Sequence, residues 1–583
     1  MLMKILRTAV NVPLLRSRHT YNSSKMDKVY LRLIPETEQF DITFQYRNAD
    51  KRVDRQFNFC RKLSESVGTF LGRVTTNLEK ALNKKKSNKK KDDAAVESNI
   101  PIVVSLMLNG NEVCQEVECR SVFQEDNRVV FKLFDVNYDV IINSPFVNRL
   151  ALPQSTLANF IVYPSAFETT YTDKALTSFE WYKSSDKKEW IKVGEGFTYE
   201  PTNNEIDHFL KLKCTPRNEK HEGLTVEALM GSTVSASPGT CPFETRHMFT
   251  KERTINNEFR VVSYNILADL YCDSDFTRTV LHPYCPAYAL TLDYRKQLVM
   301  KELIGYNADI ICLQEVDTKV CNYDLRPLFG SLGYTVHFTR KGGDVNEGLA
   351  CIYNERKFRL VKENGVILSK VLKVSAVLSD ILACASSKSN LLERLSERQN
   401  AFQVTVLESV ETGNLLVVGN THLYFHPDAD HIRLLQAGMC IRLLEETMKE
   451  LSDKYSDKLI STIFCGDFNS VPECGIFKLY TTGSVGSDCV DWRSNENEAI
   501  SGFSLEQPMK FGSACGTPKY TNYTSGFADC LDYIFYDTDK LDVTQVVPLP
   551  SNEELMANTA LPSIVFPSDH LAQVADLKWI ACN

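Results

Sequence analysis

The C-terminal half of the sequence predicts an α/β fold of mixed sheets flanked by helices, and the N-terminal half predicts a β-rich region. Three observations support this. From residue 256 onward, strand-like apolar runs alternate with helix-like segments. The last strands arrive without helices between them, which favours mixed sheets over a barrel or a purely parallel sheet. Before residue 255 the apolar pattern has period two and is broken by polar turns, as in sheet.

In the front half, alternation runs through 29–33, 40–46 and 55–59, residues 63–82 read as a helix, and strands resume at 102–108 and 129–142. The lysine run at 84–91 reads as a solvated linker or as an electrostatic tether for RNA phosphate. Trp181, Tyr182 and Cys214, spread over short strands within 155–235, give that stretch a likeness to an immunoglobulin-like sandwich. In the second half, strands are expected at 259–267, 309–316, 349–353, 402–408, 415–421, 463–467, 531–536 and 571–579. Helices are expected at 294–303 and 430–454. The expected domains are therefore a β-rich one at 25–150, a β-sandwich at 151–240, a linker at 241–255 and a catalytic domain at 256–583.

With 583 residues the chain exceeds a single ordinary core, and its 43% hydrophobic and 24% charged residues are those of a globular protein. A net charge of −8 argues against clamping long duplex nucleic acid by a basic face. The eighteen cysteines follow no metal spacing. Cys114 and Cys119 have no companion pair, so the thiols read as buried groups in a reducing compartment. No apolar run is long enough to span a bilayer, so no membrane partner is expected. Residues 1–24 carry Lys4, Arg7, Arg16 and Arg18 with several hydroxyls and no acid. This is the composition of a mitochondrial transit peptide or of an unstructured basic tail.

The chemistry centres on residues 463–472, an apolar strand that ends in Asp467 and Asn469. Residues i and i+2 of an extended segment point the same way, so the two should converge at a sheet rim as oxygen ligands for a hard cation. The construction recurs: a strand ends at Glu315, another at His422, another at Asn265, and Asp569-His570 opens the last apolar stretch. Five strands delivering polar groups to a common edge point to an active site.

Six segments occur in order: Ser263 to Asp269, Leu313 to Asp317, Asn420 to Leu423, Gly466 to Ser470, Leu531 to Ile534 and Ser568 to His570. As a set they resemble the exonuclease/endonuclease/phosphatase superfamily, over about 320 residues. Tyr284 to Leu290, followed by Tyr294 to Lys296, is similar to its deadenylase branch. The resemblance implies a four-layer αββα sandwich, dependence on Mg²⁺ with Mn²⁺ as an alternative, and release of AMP from 3′ poly(A) tails of RNA and from 2′,5′-oligoadenylate. It makes Glu315, Asn265, Asp467 and Asn469 the metal residues, with Asp467 and Asn469 also holding the attacking water. It places His570 on the scissile phosphate with Asp532 orienting its ring, His422 on the phosphate, and Asn522 on the nucleotide.

Phe425 reads as a stacking platform for adenine or as plain loop packing. Arg295 and Arg433, on helical patterns, read as solvated side chains with at most a phosphate role. With the leader, the expected compartment is the mitochondrial matrix, and no obligate protein partner is expected. Two alternatives stay open: the same fold acting on abasic DNA or an inositol phosphate, and a catalytically idle RNA-binding adaptor.

Overall fold

The computed structural model describes residues 28–48, 53–83, 102–134, 136–272 and 274–580. The expected leader and the lysine run lie outside the described residues. Two units are formed: Met1–Leu152, Ala166–Gly196 and Phe209–Met230 make the first, and Pro153–Ser165, Phe197–His208 and Gly231–Asn583 the second. The chain thus passes between units more often than single boundaries at 150 and 240 implied.

In the first unit, seven strands form one sheet in the order Val53–Lys62, Gln39–Asn48, Lys28–Ile34, Val136–Ile142, Val129–Leu133, Val104–Leu108, Asn111–Glu112. The helix Val67–Asn83 buries Val67, Phe70, Val74 and Leu78 against Phe40, Phe44, Phe57 and Phe131, as the period-two and helical patterns require. In the second sheet of this unit, Asp173–Ser184 pairs with Ile191–Glu195 on one side and Phe209–Arg217 on the other. Trp181 is fully buried there, and Cys214, on the neighbouring strand, is a free thiol. The immunoglobulin-like likeness thus gains no disulfide.

The second unit is a four-layer sandwich. Its strands are numbered here in chain order: β1 Glu258–Asn265, β2 Ile310–Asp317, β3 Tyr334–Arg340, β4 Glu347–Asn354, β5 Phe358–Ile367, β6 Ala401–Ser409, β7 Leu415–His422, β8 Ile460–Asp467, β9 Phe511–Ser513, β10 Asp532–Asp537, β11 Leu541–Val546 and β12 Gln573–Trp579. One sheet has the order β3-β4-β2-β1-β12-β11 and the other β5-β6-β7-β8-β10-β9. Their inner faces share a core that includes Val261, Ile310, Cys351, Leu416, Val418, Ile463, Ile534 and Leu577. Helix α1, Leu292–Gly305, covers the outer face of the first sheet, and α2, Asp430–Lys454, that of the second. Strands buried on both faces read as continuous apolar runs, which is why β1, β2, β7 and β8 were visible in the sequence.

Residues 241–255, expected as a linker, are built into this unit instead. Pro242–Arg246 is helical, and the buried Arg246 guanidinium donates to the carbonyls of Pro548 (3.0 Å) and Ala572 (2.7 Å) and to the Tyr306 hydroxyl (2.5 Å). A turn-rich composition does not reveal a buried arginine that ties three segments together. Among the described residues no helix is long and apolar enough to cross a membrane.

Candidate active site

Register brings the polar strand ends together. β7 and β8 are parallel with His422 opposite Asp467, and β8 and β10 are antiparallel with Asp467 opposite Asp532, so three side chains stand side by side on one edge. Gly466 permits this close pairing, since a Cβ there would lie 2.5 Å from the Thr421 carbonyl oxygen. In the other sheet β1 runs parallel to β2, with Asn265 opposite Gln314. The β2–β4 register shifts between Leu313 and Val316, and Glu315 takes φ +55°. A bulge thus re-aims Glu315 out of the strand alternation, at a backbone cost of about 1–3 kcal/mol. Ser568 joins the last member: its Oγ donates to the Asn265 carbonyl (2.7 Å) and accepts from the His570 amide (3.1 Å).

The six groups meet around two carboxylates. Asn265 Nδ2 donates to Glu315 Oε1 (3.1 Å) and to Asp467 Oδ2 (2.9 Å), so one amide spans both acids. His422 Nε2 and His570 Nε2 each lie 3.6 Å from Asp467 Oδ2. Asp532 Oδ2 is 2.8 Å from His570 Nδ1, and its own backbone amide is held by Thr521 Oγ1 at 3.0 Å. Burial pushes Glu315 up to about 7, helped by Glu347 and Asp569 and opposed by Lys341. Burial likewise pushes Asp467 up to about 6; His570 opposes this and Asp532 adds to it.

Burial also works against the charged form of His570, but Asp532, Asp467 and Asp569 outweigh it and raise the ring well above its ordinary value. His422 goes the other way, lowered by burial and by the positive charges of Lys341 and His570.

Buried carboxylates that resist ionisation are short of a cation. Asp467, Asp532 and His570 offer ligand atoms within 4.8 Å of one another, and Asp532 Oδ1 is buried without a hydrogen-bond partner. Within that trio His570 Nδ1 is already engaged by Asp532 Oδ2 at 2.8 Å, which leaves Nε2 to face Asp467. Glu315 and Asp467, both accepting from the one Asn265 amide, are candidate oxygen ligands for a divalent cation. Asn265 holds this arrangement with its nitrogen, while its Oδ1 accepts from the Leu267 amide (3.0 Å).

Three other expectations are altered by the structure. The strand ends at Asp467, and Asn469 has φ +50°, so it is not brought in by strand alternation. Its amide N donates to Asp467 Oδ1 (3.0 Å) and its Nδ2 to the Leu423 carbonyl (3.1 Å), bracing the segment after His422. Arg295 and Arg433 are buried rather than solvated. Arg295 donates to the carbonyls of Leu290, Ile266, Leu267 and Pro567, tying the Asn265 turn to the segment before His570. Arg433 donates to the carbonyls of Tyr424 (2.9 Å) and His426 (2.7 Å), on either side of Phe425. Phe425 itself is 70% exposed, and Asn522 Nδ2 donates to Asp569 Oδ2 (3.3 Å).

Residues 262–570 match the model of the Endonuclease/Exonuclease/phosphatase family. The chain belongs to this family. The mouse (Mus musculus) protein named 2′,5′-phosphodiesterase 12 is 37% identical over 95% of this chain and 94% of its own length. The human (Homo sapiens) protein of the same name is 36% identical over 99% and 98%. The Schizosaccharomyces pombe CCR4-Not complex 3′-5′-exoribonuclease subunit Ccr4 is 30% identical over 55% of this chain and 49% of its own length. As a family member, the protein is a hydrolytic enzyme of the phosphodiesterase and nuclease type.

Sequence reasoning missed two residues of this site. Lys341 Nζ lies 3.2 Å from His422 Nδ1 and 2.5 Å from Glu347 Oε1. Lys341 follows β3 and Glu347 opens β4, and only their near-complete burial sets these charges apart.

Proposed function

We propose that the protein is a Mg²⁺-dependent phosphodiesterase and 3′-end exoribonuclease. In this reading it releases AMP from 2′,5′-oligoadenylate and from the 3′ poly(A) tails of mitochondrial RNA, in the mitochondrial matrix. The observation that carries the reading is the single amide of Asn265 shared by Glu315 and Asp467, with a histidine on each side of Asp467. The names of these relatives support the linkage and the 3′ end attacked. The basic, acid-free leader supports the compartment.

Glu315 and Asp467 would hold the Mg²⁺, which would supply a Lewis acid to offset phosphate charge and lower the pKa of water. Asp467, with a histidine Nε2 3.6 Å away on each side, is placed to orient the attacking water. The His570 imidazolium, fixed by Asp532, donates Nε2–H to a phosphate oxygen as charge builds there. His422 meets the phosphate from the other side of Asp467. Phe425, held out by Arg433, presents a ring face to a base, and Asn522 lies beside Asp569 at the nucleotide end.

The test is AMP release from matched 2′,5′ and 3′,5′ tetra-adenylates by the purified full chain. Release is expected from both, abolished by EDTA, and reduced by roughly 10³-fold in Glu315→Ala. No AMP from either substrate would end this reading. Fractionation of cells expressing a C-terminally tagged chain tests the compartment, and purely cytosolic protein rejects it.

A further inference from the structure

The two ring nitrogens of His422 face different charges. Nε2 lies 3.6 Å from Asp467 Oδ2, while Nδ1 lies 3.2 Å from the Lys341 ammonium. Lys341 directly follows β3 and is 9% exposed; it reaches Nδ1 because Glu347, the first residue of β4, holds it. Glu347 is fully buried, and its Oε1 accepts from Lys341 Nζ (2.5 Å) and from the Tyr271 hydroxyl (3.4 Å). The two backbones are tied as well, the Lys341 amide donating to the Glu347 carbonyl at 3.0 Å.

An ammonium has only donors, so Nδ1 must be the acceptor of this hydrogen bond. A neutral imidazole that accepts at Nδ1 carries its proton on Nε2. The competing influence is Glu315, whose Oε1 lies 4.0 Å from the same Nδ1 and would draw the proton there. The nearer, directly bonded ammonium prevails.

We propose that Lys341, anchored by Glu347, is a positioning residue that fixes the proton of His422 on Nε2. His422 then serves the reaction as a hydrogen-bond donor to the phosphate and never as a proton acceptor. The second half of this statement rests on the hydrolase reading above; the first half does not.

The test separates them. In the full chain labelled with ¹⁵N-histidine, the His422 signals are assigned by their loss in His422→Gln. Wild type is expected to show a protonated Nε2 and a bare Nδ1. Lys341→Met should leave a mixed tautomer, because Glu315 at 4.0 Å from Nδ1 then competes with Asp467 at 3.6 Å from Nε2. With oligoadenylate as substrate, kcat of Lys341→Met should fall by roughly 10²-fold, the scale of losing one transition-state donor, with KM within about threefold. Lys341→Arg, which keeps a donor-only cation, should restore the tautomer and at least about a tenth of kcat.

A wild-type ring protonated on Nδ1, or a tautomer unchanged in Lys341→Met, overturns the proposal. A loss confined to KM also overturns it, because Lys341 would then be binding substrate directly. If Lys341→Met does not fold, Glu347→Gln releases the ammonium from its anchor and should give a mixed tautomer. An unmixed ring there counts against the proposal. A wild-type protein that cleaves no phosphodiester sinks the hydrolase reading but leaves the tautomer result standing.

Discussion

Two histidines flank Asp467, each with Nε2 3.6 Å from the same carboxylate oxygen, yet different groups stand behind their rings. Behind His570 is a carboxylate, Asp532 at 2.8 Å; behind His422 is an ammonium, Lys341 at 3.2 Å. The carboxylate raises the pKa of the first ring against its burial, while burial and the ammonium lower that of the second. Equal burial and equal distance to the acid therefore do not make the two equivalent. The group on the far nitrogen decides what the near nitrogen offers the phosphate.

Asp532→Asn breaks the difference most directly. It removes the charge that keeps His570 protonated, and kcat is expected to fall by roughly 10²–10⁴-fold. The residual activity should also lose its alkaline limb at lower pH than wild type, because an unsupported imidazolium gives up its proton sooner. A pH–kcat profile checks both effects, and an unmoved alkaline limb would mean that His570 is not the ionising group.

Gly466→Ala attacks the geometry that both rings share. The new Cβ would press on the Thr421 carbonyl at 2.5 Å and separate the His422–Asp467 register pair. A destabilisation of about 1–3 kcal/mol is expected, read as a fall in the melting temperature together with reduced kcat. An alanine variant with unchanged melting and activity would show that the strands yield there at no cost.

The smallest effect concerns a third histidine, His247, which serves as a control without a charge bonded behind it. It packs over Gly305, where a Cβ would lie 2.1 Å from its ring, and its Nε2 meets the Glu302 carbonyl at 3.0 Å. Burial lowers it to about 4, from 6.5 in an unfolded chain. A lowered folded value means that the unfolded state binds the proton first. The contribution of His247 to stability is therefore complete above pH 6.5 and is lost as pH falls towards 4. Denaturant melts across that window should show a shallower decline in His247→Gln than in wild type.

The apolar runs of β1, β2, β7 and β8 were legible because both faces of each strand are buried, and so were the polar residues that close them. The edge strand β5 and the outer strands β3 and β11 were not, since half-exposed edges have mixed composition. Asn469 was placed by an alternation that stops two residues before it. Arg295 and Arg433 look like surface arginines on a helical pattern, because nothing local reveals the carbonyls that receive them.

By itself the sequence determined which chemistry-bearing residues exist and that most of them lie at or near strand ends, because strand period and burial are local properties written in neighbouring residues. Only the tertiary structure decided which of those ends share an oxygen, that Glu315 is turned inward by a bulge, and that His422 is backed by a lysine while His570 is backed by an acid. Those outcomes depend on register between strands far apart in the chain, and ladder pairing fixes register where no periodicity can be read.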